Sequence, residues 1–534
     1  MNAYPANRTE MKAYDTTVIT SAYLKEAGRE GQFLLKDYAG IAAEVDADTQ
    51  QGIFVRSTFD ATKVWVREGS WAMTGKDIRW YGAIAGSGHG AANHTAIQAA
   101  IDTRGRIVIP DDRNGDFEVN DTLLVRSNTT VAWVGNSFIK LTQTSSVGAV
   151  IVAYSEGPLG TIPPVPSENV LFDNPLVDGG NLGYAANRPG GENGVGGAFV
   201  RNLRIRGGIV KNCRHGNSAP IGTGGKGIQI EADVQNCTAE GTLIVDCTVG
   251  VETGGDHDGG VSTGIHYKNL TMVRCDRMIS LMQTYTPASL LVSDNSAVVE
   301  GVTGYNCGRE SHGADEAAKQ AFGAIFIDRY ANAVIRDVTL WNDTDYGQLG
   351  ALVRHYIGYN NKVAIEFNGN ARVLVDNRTP APGAGTNGNR TLNQYKVHHR
   401  GGGADYAVRN DIVAAVANEY DIRTSSVDVA LYDSESAQAN NHGRFHNLLN
   451  DLIIEGRMDR LAAVLGTGAY GTSARTDVGE RRINNVWIPY GGPSPMILPL
   501  NTYADNAGAV AGGLTSGMLY KMPVAAGYQV MVVT

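Results

Sequence analysis

The sequence predicts an all-β solenoid, a long parallel β-helix. Three observations carry this: turn asparagines recurring about every 34 residues, single cysteines at a similar period, and short alternating strands between them. Asn202, Asn236 and Asn269 lie 34 and 33 residues apart, each just before an apolar strand residue ("VRNLRI", "VQNCTA", "YKNLTM"), and Asn450 and Asn484 are again 34 apart. A helical repeat of this length needs long segments with apolar residues at i, i+3 and i+4. The repeats here are "KGIQIEA" and "GAIFIDR", broken by Gly and Asn, so the unit is β. One coil cannot bury its inward residues alone, so coils must stack with strands about 4.8 Å apart. Alternation then sends Ile228 and Ile230 inward and Gln229 and Glu231 outward.

Composition agrees with one long folded body. Of 534 residues 66 are Gly, 43% are hydrophobic and only 19% are charged, which describes a turn-dense chain with ample core material. A net charge of -9 without any basic run argues against nucleic-acid binding. No apolar run approaches the roughly eighteen residues of a membrane span, and "MNAYPANRTEMKAYD" has no apolar signal core. The expectation is therefore no membrane span and no Sec signal, with export by another route such as release inside a virion.

The cysteines fit the same period. Cys213, Cys247, Cys275 and Cys307 each end a short strand, at separations of 34, 28 and 32 residues, and no C-x-x-C pair occurs. That pattern excludes a zinc site and predicts a ladder of small buried residues.

Taken in chain order, residues 1–78 read as a small N-terminal module. In "TAIQAAID", residues 95–102, Ile97, Ala100 and Ile101 share one helical face, with Asn93 or Thr95 as N-cap, and "RIVIP" (106–110) reads as the first strand. An open β-helix end exposes unpaired backbone, which a helix lying across it covers. The solenoid body is assigned to 79–499. Pro, Gly and Asn interrupt it over 371–404, and 500–534 reads as a C-terminal cap or trimerisation segment.

"IRWYGAIAGSGHGAANHTAIQAAIDT" followed by "RIVIPDD" resembles the start of the pectate-lyase-like β-helix module of phage tailspike depolymerases. "YLKEAGREGQFLL", "ADTQQGIFV" and "VWVRE" resemble the small module that often precedes it, and "ADNAGAVAGGLTSGMLYK" is similar to a tail segment recurring in phage proteins. The resemblance departs at "ANHT", where the usual acidic helix-capping pair is missing. It implies a right-handed, homotrimeric β-helix, virion-associated, that cleaves bacterial or algal polysaccharide without a nucleotide or organic cofactor. A structural or substrate-bridging calcium ion is left open. The chemistry is not implied, since such proteins include hydrolases and lyases.

Hydrolysis needs two carboxyls, about 5–5.5 Å apart for retention or about 6.5–9.5 Å for inversion. Glu231 and Asp233 in "IQIEAD" are two apart on a strand, Glu252 follows one coil later, and Asp328 in "IFIDRY" takes a similar place, so the four form a candidate row. Tyr267, Tyr285 and Tyr330 recur at strand ends beside them, as sugar-stacking aromatics would. β-Elimination on a uronate instead needs a base and cations, for which His266 and Lys268 in "GIHYKN" and Arg277 are candidates, with Arg329 and Arg354 as further substrate-binding cations.

"VETGGDHDGG", residues 251–260, reads as one wall of the substrate groove, contributing Asp256, His257 and Asp258. Glu252 is the better catalytic candidate because a strand positions it. The EF-hand pattern is absent from this loop, so no metal ligand is assigned. Two functions from different classes remain: a polysaccharide depolymerase, with hydrolysis ahead of elimination, and a non-catalytic glycan-binding adhesin.

Overall fold

The computed structural model describes residues 2–143, 148–157, 164–182, 192–215, 224–254, 262–282, 296–309, 323–356, 358–377, 390–410, 415–416, 418–425, 430–433 and 441–448, and beyond these the strands 452–457, 480–483, 486–489, 519–524 and 527–532.

The N-terminal module is a five-stranded sheet over its own core of Met11, Ala22, Leu24, Phe33, Val55 and Trp65. Asp48, almost fully buried, accepts the backbone N–H groups of Gly52, Ile53 and Phe54 at 2.7–2.9 Å, which fixes the turn into the strand Phe54–Arg56.

The capping helix runs over Gly90–Asp102 and buries Ala96, Ile97, Ala99, Ala100 and Ile101 in the solenoid core. It starts a turn earlier than "TAIQAAID" predicts, and neither Asn93 nor Thr95 is its cap. Asn93 lies inside the helix, buried, and clamps the backbone of Ile84 by accepting its N–H at 2.7 Å and donating to its carbonyl at 2.8 Å. The polar side chain at that position serves an entering loop rather than the helix terminus. The first solenoid strand, Gly105–Ile109, follows directly.

From there the chain winds as a parallel β-helix with two main sheets, a long one and an eleven-stranded second one. A representative coil runs through Thr238–Glu240 and Leu243–Val245 on the long sheet, then Val249–Gly254 on the second sheet, and returns at Ile265–Lys268. Each strand pairs in parallel with its equivalent one coil on: Thr238 with His266, Leu243 with Thr271, Val251 with Ile279. Ile228 and Ile230 enter the core as alternation requires, each such fully buried side chain contributing about 1.5–3 kcal/mol.

The turn asparagines explain the period. Asn202, Asn236 and Asn269 sit at φ 57°, 55° and 53°, a left-handed conformation that Asn tolerates better than most residues. They stack from coil to coil, Asn202 Nδ2 donating to Asn169 Oδ1 at 3.2 Å. The five cysteines are buried and free, and the backbone N–H of Cys275 donates to Cys307 Sγ at 3.3 Å. A second, buried asparagine ladder forms further on. Asn361, Asn393, Asn418 and Asn441 each accept, through Oδ1, the backbone N–H of the residue at that corner one coil earlier, at 2.8–2.9 Å.

The interruption predicted over 371–404 is narrower than its composition implies, because Ala371–Asn377 and Gln394–Gly401 are in-register strands of the second and the long sheet. Parallel stacking continues to His442–Asn447, which pairs antiparallel with Leu452–Arg457. Asn450 and Asn484 lie outside the described residues. Among the described residues no helix is long and apolar enough to cross a membrane.

Candidate active site

The outer face of the second sheet carries a polar row. Gln229, Glu252, Ser280, Phe326, Arg354 and Asp376 follow one another in register on successive strands. These side chains point away from the core yet are buried: Glu252 is 3% exposed, Arg354 2% and Asp376 0%. A buried charge needs a partner, and the row supplies them. Lys226 Nζ pairs with Glu252 Oε1 at 3.0 Å and Arg354 with Asp376 at 2.9 Å, while Arg277 bonds Ser280 Oγ at 3.1 Å and lies 4.2 Å over the Phe326 ring.

The candidate carboxylates therefore do not form one open row. The strand ends at Glu231, and Asp233 stands beyond it in a left-handed turn (φ 56°) with its carboxylate on Arg201 at 3.0 Å. Glu252 lies diagonally across from Glu231, whose register partner is Gly254. Asp328, buried, pairs in register with Met282 and so lies two strands across and two residues along from Glu252, about 12 Å by strand geometry. Rows read from sequence mixed strand and turn positions because the loops between coils differ in length.

The aromatic and basic candidates divide as well. Tyr267 and Tyr330 point inward and are fully buried, Tyr267 donating to the Glu252 carbonyl at 2.8 Å, so neither can stack on a sugar. Burial pushes the Tyr267 phenol well above its ordinary range. His266 and Lys268 lie on the outer face of the long sheet, paired with Glu300 at 2.8 Å and Glu240 at 2.7 Å, whereas Arg277 and Arg354 are buried on the second sheet. Arg329 occupies a left-handed turn position at φ 55° beside Asp328. Asp256, His257, Asp258 and Tyr285 lie outside the described residues. No group of three or more His, Cys, Asp or Glu gathers to hold a metal among the described residues.

Open concave surface is found on the long sheet. One hollow of about 670 Å³ is lined by Asn169, Asn202, Arg204, Thr238 and His266. A second of about 500 Å³ spans five consecutive strands, with Val334 and Ala364 as apolar floor and Arg336, Lys362, Lys396, Glu419, Asp421, His442 and Arg444 around it. The second hollow holds two carboxylates on one strand face. Glu419 is exposed and accepts from Gln394 Nε2 at 3.0 Å, and Asp421, half-buried, lies in register between Lys396 and Arg444. Asp421 Oδ1 has no hydrogen-bond partner among the described residues. The sequence carries a signal for this pair, since "EYDIRT" alternates as "IQIEAD" does, but nothing in it separates a covered outer face from an open one.

No protein-family model matches the sequence, and no curated protein matches it. Among solved structures, the gp42 tailspike of Acinetobacter phage vb_AbaP_AS12 matches with a TM-score of 0.53 at 14% identity, over 99% of this chain and 91% of that one. ORF18 of Geobacillus virus E2 matches at 0.47 and 11% identity over the whole of both chains. The gp49 tailspike of Acinetobacter baumannii bacteriophage Fri1, described as a capsular polysaccharide depolymerase, matches at 0.43 and 14% identity, over 83% of this chain and 74% of that one. The likeness to gp42 concerns architecture, and together with the coil-by-coil register it shows that the chain has the parallel β-helix fold of that tailspike.

Proposed function

We propose that this chain is a virion-associated polysaccharide depolymerase that hydrolyses glycosidic bonds in the hollow between Val334 and Arg444. The observation that carries the reading is the pair Glu419 and Asp421, two carboxylates on one face of a rigid strand inside an open trough. Residues i and i+2 of a strand are about 6.6–6.8 Å apart, which suits the wider spacing used for inversion. Glu419, the more exposed, protonates the leaving oxygen. Asp421, held between Lys396 and Arg444, activates the attacking water.

The same trough holds His442 in register with Glu419, and the cations Lys396 and Arg444. These groups favour a second reading, β-elimination on a uronate, with His442 as base. Purified capsular or algal polysaccharides incubated with the protein separate the readings. Shortened chains with new reducing ends and inverted anomeric configuration support hydrolysis; products with an ultraviolet-absorbing double bond support elimination. Binding without shortening would leave only the adhesin. Homotrimeric assembly belongs to the same proposal, and a monomer by sedimentation at micromolar concentration contradicts it.

A further inference from the structure

The outer face of the long sheet carries a second row, made of the residues two positions along from those that line the first hollow. In register from strand to strand it reads Asp173, Arg206, Glu240, Lys268, Glu300 and Arg336, then, past an irregularity in the pairing, Ala364, Lys396, Asp421 and Arg444. Acid and base alternate along the whole series, except that Ala364 stands where the alternation requires an acid. Neighbours in the first part are ion-paired, Asp173 with Arg206 at 2.9 Å, Glu240 with Lys268 at 2.7 Å and Glu300 with Arg336 at 2.5 Å. The Arg336 guanidinium bonded to Glu300 holds that carboxyl below its usual range, with the His266 ring adding to the effect.

At Ala364 the pattern leaves two cations facing each other across a methyl group. Arg336 and Lys396 lie one strand to either side, about 9.6 Å apart by strand spacing. Lys362 stands two residues before Ala364 on the same face, next to Val334 and Gln394 in its own row. Lys362 and Lys396 are exposed, and neither has an ion-pair partner among the described residues. The strand Ala333–Trp341 carries an irregularity between Ile335 and Val338 opposite Ala364. Its extra residue, Asp337, is exposed at φ 52° and is not part of the lining of the hollow. The hollow of about 500 Å³ takes in this break at one end. Its floor of Val334 and Ala364 is apolar, its rim carries Arg336, Lys362, Lys396 and Arg444 against Glu419 and Asp421, and the chain as a whole has a net charge of -9.

We propose that the ligand completes the ladder: the substrate is a carboxylate-bearing polysaccharide, and one sugar carboxylate sits over Ala364 between Arg336 and Lys396, with Lys362 as its third cation. The apolar floor takes the ring face, and the lysines supply charge-assisted hydrogen bonds. This rests on the depolymerase reading for its location but makes a separate demand on the ligand's chemistry. It also orients the chain, because the subsite lies two strands from Glu419 and Asp421, placing the cut bond one or two sugar units away.

The test uses affinity electrophoresis of the full chain in gels holding acidic capsular or algal polysaccharides, each beside its carboxyl-reduced form with linkages unchanged. The expected result is retardation by an acidic form, at least about tenfold weaker with its reduced form. Ala364→Glu, which supplies the missing acid from the protein, should lose the same factor while keeping its thermal midpoint, and Lys396→Gln with Lys362→Gln should reproduce the loss without the added bulk. Equal retardation by both forms, or an Ala364→Glu variant that binds as the wild type does, overturns the proposal even if the glycan is cleaved. Retardation by the acidic form alone without chain shortening supports it and contradicts the depolymerase reading instead. A changed oligomeric state of Ala364→Glu with unchanged glycan binding overturns it in favour of a carboxylate from a second copy of the chain.

Discussion

Replacing Asn393 by Ala tests the stacked register beneath the trough. Asn393 is fully buried at the corner that leads into the strand Gln394–Gly401, a floor strand of the hollow. Its Oδ1 accepts the N–H of Asn361 at 2.9 Å, and its Nδ2 donates to the Gly358 carbonyl at 3.1 Å and to Asn418 Oδ1 at 3.0 Å. Truncation leaves the Asn361 N–H and the Gly358 carbonyl without those partners. Asn418 Oδ1 keeps the backbone N–H of Asn393 at 2.9 Å. Two orphaned buried groups at about 1–3 kcal/mol each give a loss of about 2–6 kcal/mol. Urea unfolding followed by circular dichroism reads the loss, and hydrogen exchange should show the Asn361 amide deprotected. Gln394→Ala, exposed and one residue on, should change stability by no more than about 0.5 kcal/mol. If Asn393→Ala is no more costly than Gln394→Ala, the coils are not joined by this ladder and the row assignments above it fail.

Further consequences follow from the same geometry. Glu419→Gln and Asp421→Asn should each lower kcat by about 10²–10⁴-fold without altering the circular dichroism spectrum, measured as reducing ends released; an unchanged kcat in either removes that residue from the chemistry. Glu252→Ala breaks a buried ion pair with Lys226 and should destabilise by about 3–5 kcal/mol, whereas Lys226→Met combined with Glu252→Leu should recover most of the loss in the same unfolding assay. Burial leaves His399 with a lowered affinity for protons, against the opposing pull of its bond to the Gly369 carbonyl. The unfolded chain then takes up that proton first. Stability should be level above about pH 6.5 and fall as the pH drops below it, and His399→Gln should flatten that slope in chemical unfolding between about pH 7 and 5.5.

Much of the architecture was legible because stacking imposes periods on the chain. Asn202, Asn236 and Asn269 keep their spacing since each must adopt the left-handed turn, and the cysteines keep theirs since the core corner admits a small side chain. The inward placing of Ile228 and Ile230 follows from alternation alone. Orientation failed for Tyr267 and Tyr330, read as sugar-stacking aromatics at strand ends; for Tyr267 the flanking His266 and Lys268 already claimed the outward positions of its strand. Exposure failed for Glu252, because an outward side chain on a covered sheet face has the same local sequence as one on an open face. The charge ladder was hidden for a different reason. Successive members from Asp173 to Arg444 are separated by between 36 and 23 residues, so no fixed period reveals them until register is known. The trough pair Glu419 and Asp421 lay past the stretch where the period is regular, on coils that had shortened.

The most direct test of the account is a crystal structure of the Glu419→Gln variant soaked with an oligosaccharide from a polysaccharide that the wild type shortens. The account predicts sugar along the outer face of the long sheet, a carboxylate over Ala364 within hydrogen-bond distance of Lys396, and a glycosidic oxygen beside residue 419 and the Asp421 carboxylate. Sugar bound instead against Lys226 and Glu252 on the second sheet, with the hollow empty, would contradict it.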